Sequence, residues 1–129
     1  MIITYVDTSA AMKLVVDEPE TEPLLQWLTS GPRRRLVASW LLHTELHCAA
    51  GRHPDLIAAD AITRILETVD LVDLTRGDMI AAGTHTPLRS HDALHLAVAI
   101  RIGVDELLTY DTELANTAGR AGLRALSPR

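Results

Sequence analysis

The stretch Ile2-Ile3-Thr4-Tyr5-Val6-Asp7-Thr8-Ser9-Ala10 decides the fold class. Five β-rich, mostly apolar residues run directly into an aspartate and two hydroxyl residues, Thr8 and Ser9, either of which can cap a helix. A buried strand therefore passes without a linker into a helix through residue 16. The same alternation recurs downstream. Strands are expected over residues 36–38, 70–74 and 106–109, with a last edge strand over 124–126. Between them lie segments of helical period: one ending near Leu28, one over 40–50 with Ser39 as its cap and Gly51 as its stop, and one begun by Pro54 and Asp55 that runs to about Thr68. Three more cover 77–82, 91–102 and 111–118. Strands that alternate with helices make βαβ units and a parallel sheet covered on both faces. The expected fold is α/β, a three-layer α/β/α sandwich with a four- or five-stranded parallel sheet, in one domain over residues 1–129.

Composition narrows the function classes. At 129 residues and 47% hydrophobic content the chain can bury a core without disulfides. No run approaches the roughly 20 apolar residues of a membrane span. The opening run lacks a basic flank and is interrupted at Asp7, unlike an export signal. One cysteine, Cys48, fits a reducing compartment, so a cytoplasmic location is expected. The net charge of −5 opposes nucleic-acid binding by global electrostatics, although two divalent cations would cancel four of those charges.

The acids carry the chemistry. Asp7 and Asp111 each follow a strand, where open α/β sheets place ligands just outside the carboxyl ends of their strands. The plainer reading of each is an acid at a helix start, favoured by the dipole. Glu45 sits inside a helix on the face of Leu41, Leu42, Cys48 and Ala49, so it needs a metal or a buried partner, for which Arg64 and Arg101 are candidates. Asp92 lies in the first turn of the most apolar helix and says little alone. Together the four acids are expected to converge at the C-terminal edge of the sheet. Oxygen-only ligation suits Mg²⁺ or Mn²⁺ and phosphodiester chemistry.

Competing chemistries fit less well. His43 and His47 are about 200° round the helix from Glu45, so they point away from it, and neither HExxH nor a Cys pair supports zinc. His95 shares the face of Asp92, as either a donor to the site or a packed core histidine, while His91 carries no interpretation. An aspartyl-phosphate role for Asp7 lacks both the second acid two residues on and a lysine late in the sheet. Arg89, in a loop beside Asp92, is the best-placed RNA contact. Arg33-Arg34-Arg35 reads as a solvated loop, and Asp17, Glu18, Glu20 and Glu22 as a solvated helix start.

Four segments carry a resemblance: Tyr5-Val6-Asp7-Thr8-Ser9-Ala10, Glu45 within its helix, Leu88-Arg89-Ser90-His91-Asp92-Ala93-Leu94-His95-Leu96-Ala97, and Leu107-Leu108-Thr109-Tyr110-Asp111. In order and spacing they resemble the PIN domain family, and in size the VapC-type toxins of bacterial toxin–antitoxin pairs. The resemblance spans nearly the whole chain. It implies an endoribonuclease that hydrolyses RNA phosphodiester bonds with Mg²⁺ or Mn²⁺ held by Asp7, Glu45, Asp92 and Asp111, and Ser9 and Thr109 bonding the acids at the edge of the site. Glu113 is the only residue available for the further acid of some relatives and is not assigned. Expected partners are RNA, a second copy of the chain, and a small antitoxin that places an arginine among the four acids. Its tail would lie in apolar grooves around Met12, Leu24 and Trp27. The alternatives are a PIN-type nuclease of RNA processing, or a non-catalytic PIN domain that binds RNA or protein.

Overall fold

The alternation of strands and helices is realised in the computed structural model, which describes residues 1–129. In chain order the elements are β1 (Ile2–Val6), α1 (Thr8–Val15), α2 (Thr21–Thr29), β2 (Arg34–Ser39), α3 (Leu41–Arg52), α4 (Ala59–Glu67), β3 (Asp70–Val72), α5 (Arg76–Ala82), α6 (Ser90–Ile102), β4 (Glu106–Leu108), α7 (Thr112–Arg120) and β5 (Arg124–Leu126). All five strands are parallel, in the order β3-β2-β1-β4-β5. Helices α1 to α4 pack among themselves, α6 packs on α5 and α7, and the sheet lies between the two groups as the middle of three layers. No helix is long and apolar enough to cross a membrane.

This order puts the topological switch point between β1 and β4. The chain winds one way through β1, β2 and β3, then returns across the sheet to β4. Ligand sites in open α/β sheets sit at such a point, outside the carboxyl ends of the strands. Val6 and Leu108 are paired there, so Asp7 and Asp111 emerge from adjacent central strands. The core behind them is built from Tyr5, Val6, Leu42, Leu46, Leu96, Leu107, Leu108 and Leu114, all buried.

Several boundaries differ from the sequence reading. Asp7, not Thr8 or Ser9, caps α1, its carboxylate accepting from Ala10 N–H at 2.9 Å. Ser39 ends β2, and α6 begins one residue earlier than expected, at Ser90, with Arg89 at its cap. Gly51 lies inside α3, which stops at His53 because the residue before Pro54 is pushed out of helical geometry. Pro54 and Asp55 then form a turn, and α4 begins only at Ala59. The arginine triplet is no solvated loop, since Arg34 and Arg35 open β2. Arg34 reaches Glu106 at 3.4 Å and stacks on Trp27, its guanidinium 3.7 Å from the ring centre, while Arg35 pairs with Asp70.

Glu106 is 3% exposed and also accepts from Thr4 Oγ1, so the Arg34–Glu106 pair is held inside the sheet at the edge opposite Asp7. Removing one partner of such a pair strands a buried charge. Arg34→Ala should therefore lower unfolding free energy in urea by about 3 kcal/mol at pH 7. A loss below about 1 kcal/mol, the range of exposed pairs, would show that the pair is solvated.

Candidate active site

Each expected acid is positioned by a different element. Asp7 leaves β1 and Asp111 leaves β4. Glu45 lies one turn into α3, and Asp92 lies in the first turn of α6. The two helical layers thus meet over the C-terminal edge of the sheet, and the acids come from both sides of it.

Asp7 is buried and heavily hydrogen-bonded. Oδ1 accepts from Ser9 Oγ at 2.8 Å and from Ala10 N–H, and Oδ2 accepts from Thr109 Oγ1 at 2.6 Å and from Ser9 at 3.0 Å. Burial nevertheless raises its carboxyl above the ordinary range, against the opposing effect of those bonds. Ser9 also receives Tyr110 N–H, and Thr109 receives Asp111 N–H, so the two hydroxyl residues join the ends of β1 and β4. Asp111 caps α7 by accepting from Leu114 N–H at 2.8 Å.

Glu45 has neither Arg64 nor Arg101 as its partner, for Arg64 pairs with Asp60 and Arg101 with Asp78. Its Oε1 instead meets His95 Nε2 at 2.7 Å and accepts from Thr8 Oγ1 at 2.8 Å, and Oε2 lies 3.5 Å from His91 Nδ1. Burial pushes Glu45 up, but the hydrogen bonds from His95 and Thr8 and the nearby histidines outweigh it and hold the carboxyl low. His95 is thus both a core residue, 1% exposed, and a partner of the site. Sequence reasoning missed Tyr5, Thr8 and His91. Tyr5 looked like a strand aromatic and Thr8 like a cap. His91 showed only its i,i+4 spacing from His95.

Asp92 is half-buried, and its carboxyl is pushed up to about 6, first by burial and then by Asp111, Asp7 and Glu45. Burial and the charges of three acids therefore act together on Asp92. As the side chains stand, no three acidic, histidine or cysteine groups close to a distance at which they would hold a metal. Asp7 and Asp111 are turned into their helix caps. The donor chemistry still fits a hard divalent cation, being all oxygen with uncompensated negative charge at its centre.

Around this centre, Arg89 is exposed at the start of α6 and Glu113 is exposed on α7. His43 and His47 stack beside Trp40, with ring centres 5.3 Å and 4.4 Å apart along the series. The expected groove around Leu24 and Trp27 is closed, since Leu24 is fully buried and Trp27 lies under Arg34. The open groove, about 440 Å³, instead runs from Glu45 past Met12, Leu41 and Ala49 to Arg52 and His53.

Comparison with known proteins agrees with this architecture. The PIN domain pattern matches residues 4–120, and the chain belongs to the PIN domain family. Ribonuclease VapC46 of Mycobacterium tuberculosis is 37% identical over 99% of both chains. Ribonuclease VapC47 of the same organism is 35% identical over 96% of both. A toxin–antitoxin complex from Klebsiella pneumoniae contains a chain of the same fold, with a TM-score of 0.71 and 19% identity over 98% of each chain.

The raised Asp92 gives a pH dependence with a definite sign. The folded protein favours protonated Asp92, so stability is lost as pH rises from near 4 through about 6. In metal-free buffer at pH 7.5, Asp92→Asn should raise the melting temperature by about 3 °C, on the order of 1 kcal/mol after solvent screening. The gain should vanish near pH 4. An equal effect at both pH values would refute the raised Asp92 carboxyl.

Proposed function

We propose that this chain is a Mg²⁺- or Mn²⁺-dependent endoribonuclease and the toxin of a toxin–antitoxin pair. The observation that carries the reading is that Asp7 and Asp111 leave the adjacent strands β1 and β4 at the switch point of a PIN domain, with Glu45 on α3 and Asp92 on α6. Acids at a switch point with no arginine or lysine partner are a poor arrangement for stability and a good one for holding a cation against a phosphodiester. The relatives named as ribonucleases VapC support RNA as the substrate.

In this reading Asp7, Glu45, Asp92 and Asp111 are the ligands. When bound, the cation would supply charge neutralisation at the phosphate and a more acidic attacking water. Ser9 and Thr109 hold Asp7 in a fixed orientation, and Thr109 also fixes the start of the Asp111 turn. Arg89, exposed beside Asp92, contacts the RNA backbone.

The antitoxin places an arginine among the acids, where its planar group pairs with carboxylates and displaces both cation and RNA. The named toxin–antitoxin complex of like fold supports such a partner. Its tail lies in the groove of Met12, Leu41 and Ala49, which opens directly beside Glu45.

Asp7→Asn is the direct test. Asn caps helices as well as Asp does, so α1 should survive the change. Labelled RNA should be cut by the wild-type protein with Mn²⁺, not cut in EDTA, and cut at least about 100-fold more slowly by the variant, in line with a lost charged ligand. Wild-type protein that cuts no RNA, or a variant as active as wild type, would overturn the proposal. A second measurement concerns the partner. Replacing its acid-facing arginine by alanine should relieve inhibition of RNA cleavage, and undiminished inhibition would exclude the arginine mechanism.

A further inference from the structure

Glu45 is tied to the centre of the sheet by an unbroken hydrogen-bonded run. Ser39 N–H, at the end of β2, donates to Tyr5 Oη at 3.1 Å. Tyr5 Oη lies 2.7 Å from His95 Nδ1, and His95 Nε2 lies 2.7 Å from Glu45 Oε1. Tyr5 is fully buried and the two rings meet edge to face. The run thus passes from β2 through β1 and α6 to α3, crossing the sheet between its two helical layers.

With a neutral His95 ring, the ends of this run leave one proton order. A backbone N–H can only donate, so Ser39 occupies a lone pair of Tyr5 Oη, and the phenolic hydrogen is left for His95 Nδ1. An imidazole that accepts at Nδ1 carries its hydrogen on Nε2, which faces a carboxylate that only accepts. Nε2 also lies 3.2 Å from Thr8 Oγ1, which itself donates to the same Glu45 oxygen. Oε1 is thus held twice, whereas Oε2 has only His91 Nδ1 near it, at 3.5 Å. Tyr5 and His95 occupy core positions where apolar side chains would pack without desolvating polar groups, so core packing alone does not account for them.

We propose that Tyr5 and His95 are positioning residues, which fix the His95 ring as its Nε2–H tautomer and thereby hold Glu45 with Oε2 presented to the cation. This rests on the reading of Glu45 as a metal ligand. Partners that orient a ligand in this way typically change metal affinity by about 10- to 100-fold when removed. A residue that merely fills the core would not set a ring tautomer.

The test has two arms. In metal-free, ¹⁵N-labelled protein at neutral pH, a long-range proton–nitrogen correlation reads which ring nitrogen of His95 carries hydrogen, the signals being assigned by their loss in His95→Leu. Calorimetric titration with Mn²⁺ then compares wild type, Tyr5→Phe, His95→Leu and His95→Gln. The expected result is hydrogen on Nε2 alone in wild type and mixed tautomers in Tyr5→Phe. Mn²⁺ affinity should fall about tenfold in Tyr5→Phe and further in His95→Leu, with partial rescue in His95→Gln, whose amide can still donate to Glu45. A proton on Nδ1 in wild type, or affinities of Tyr5→Phe and His95→Leu within about twofold of wild type, would overturn the proposal. A wrong tautomer with intact Mn²⁺ binding would leave the metal reading standing. A correct tautomer in a wild-type protein that binds no Mn²⁺ would remove the metal reading, and this proposal with it.

Discussion

Carboxylates without an arginine or lysine partner at the C-terminal edge of a parallel sheet are the constraint to which the rest of the structure responds. The strand order creates it, because Asp7 follows β1 directly and Asp111 lies three residues past the end of the adjacent β4. Asp7 is relieved by hydrogen bonds from Ser9, Ala10 and Thr109, and Asp111 by the amide of Leu114. Glu45 is relieved by His95 and Thr8, with His91 nearby. The Asp92 carboxyl is pushed up to about 6, first by burial and then by Asp111, Asp7 and Glu45.

The two ends of the sheet handle buried charge in opposite ways. At the N-terminal edge Glu106 is matched by Arg34, which is itself covered by Trp27. At the C-terminal edge no arginine or lysine bonds to any of the four acids. A buried pair is a closed arrangement, whereas acids without an arginine or lysine partner are an open one. The chain thus separates a structural ion pair from the candidate site by the length of its strands. The function proposed here belongs to the open end.

Much of this was legible in the sequence where the signal is local. The strand ending at Asp7 and the alternation after it specify a parallel α/β sheet, because strand and helix periods are local patterns. Glu45 announced itself as a carboxylate on the helix face of Leu41, Leu42, Cys48 and Ala49, although Cys48 turns out exposed. Its partner did not, because contact between α3 and α6 depends on how two layers meet over the sheet, and spacing within one helix says nothing of that. His95 was accordingly open to two readings, and it satisfies both. Arg34 was misread for a similar reason. Its neighbours Arg33 and Arg35 make a polar triplet, and only the pairing of β2 with β1 and β4 beyond it reveals Glu106 as the partner. Asp7 capping α1 was missed because Thr8 and Ser9 are equally good caps by residue type alone.

The proposed function requires Asp7, Glu45, Asp92 and Asp111 to share a divalent cation. The most direct measurement is an anomalous difference map from crystals of this chain soaked in Mn²⁺ and collected above and below the manganese edge. A shared cation would give a manganese peak among these four carboxylates, with oxygen ligands at about 2.1 to 2.2 Å, close to the distances of similar hard cations. Well-diffracting soaked crystals with no manganese at this edge of the sheet, or with manganese bound only elsewhere, would contradict it.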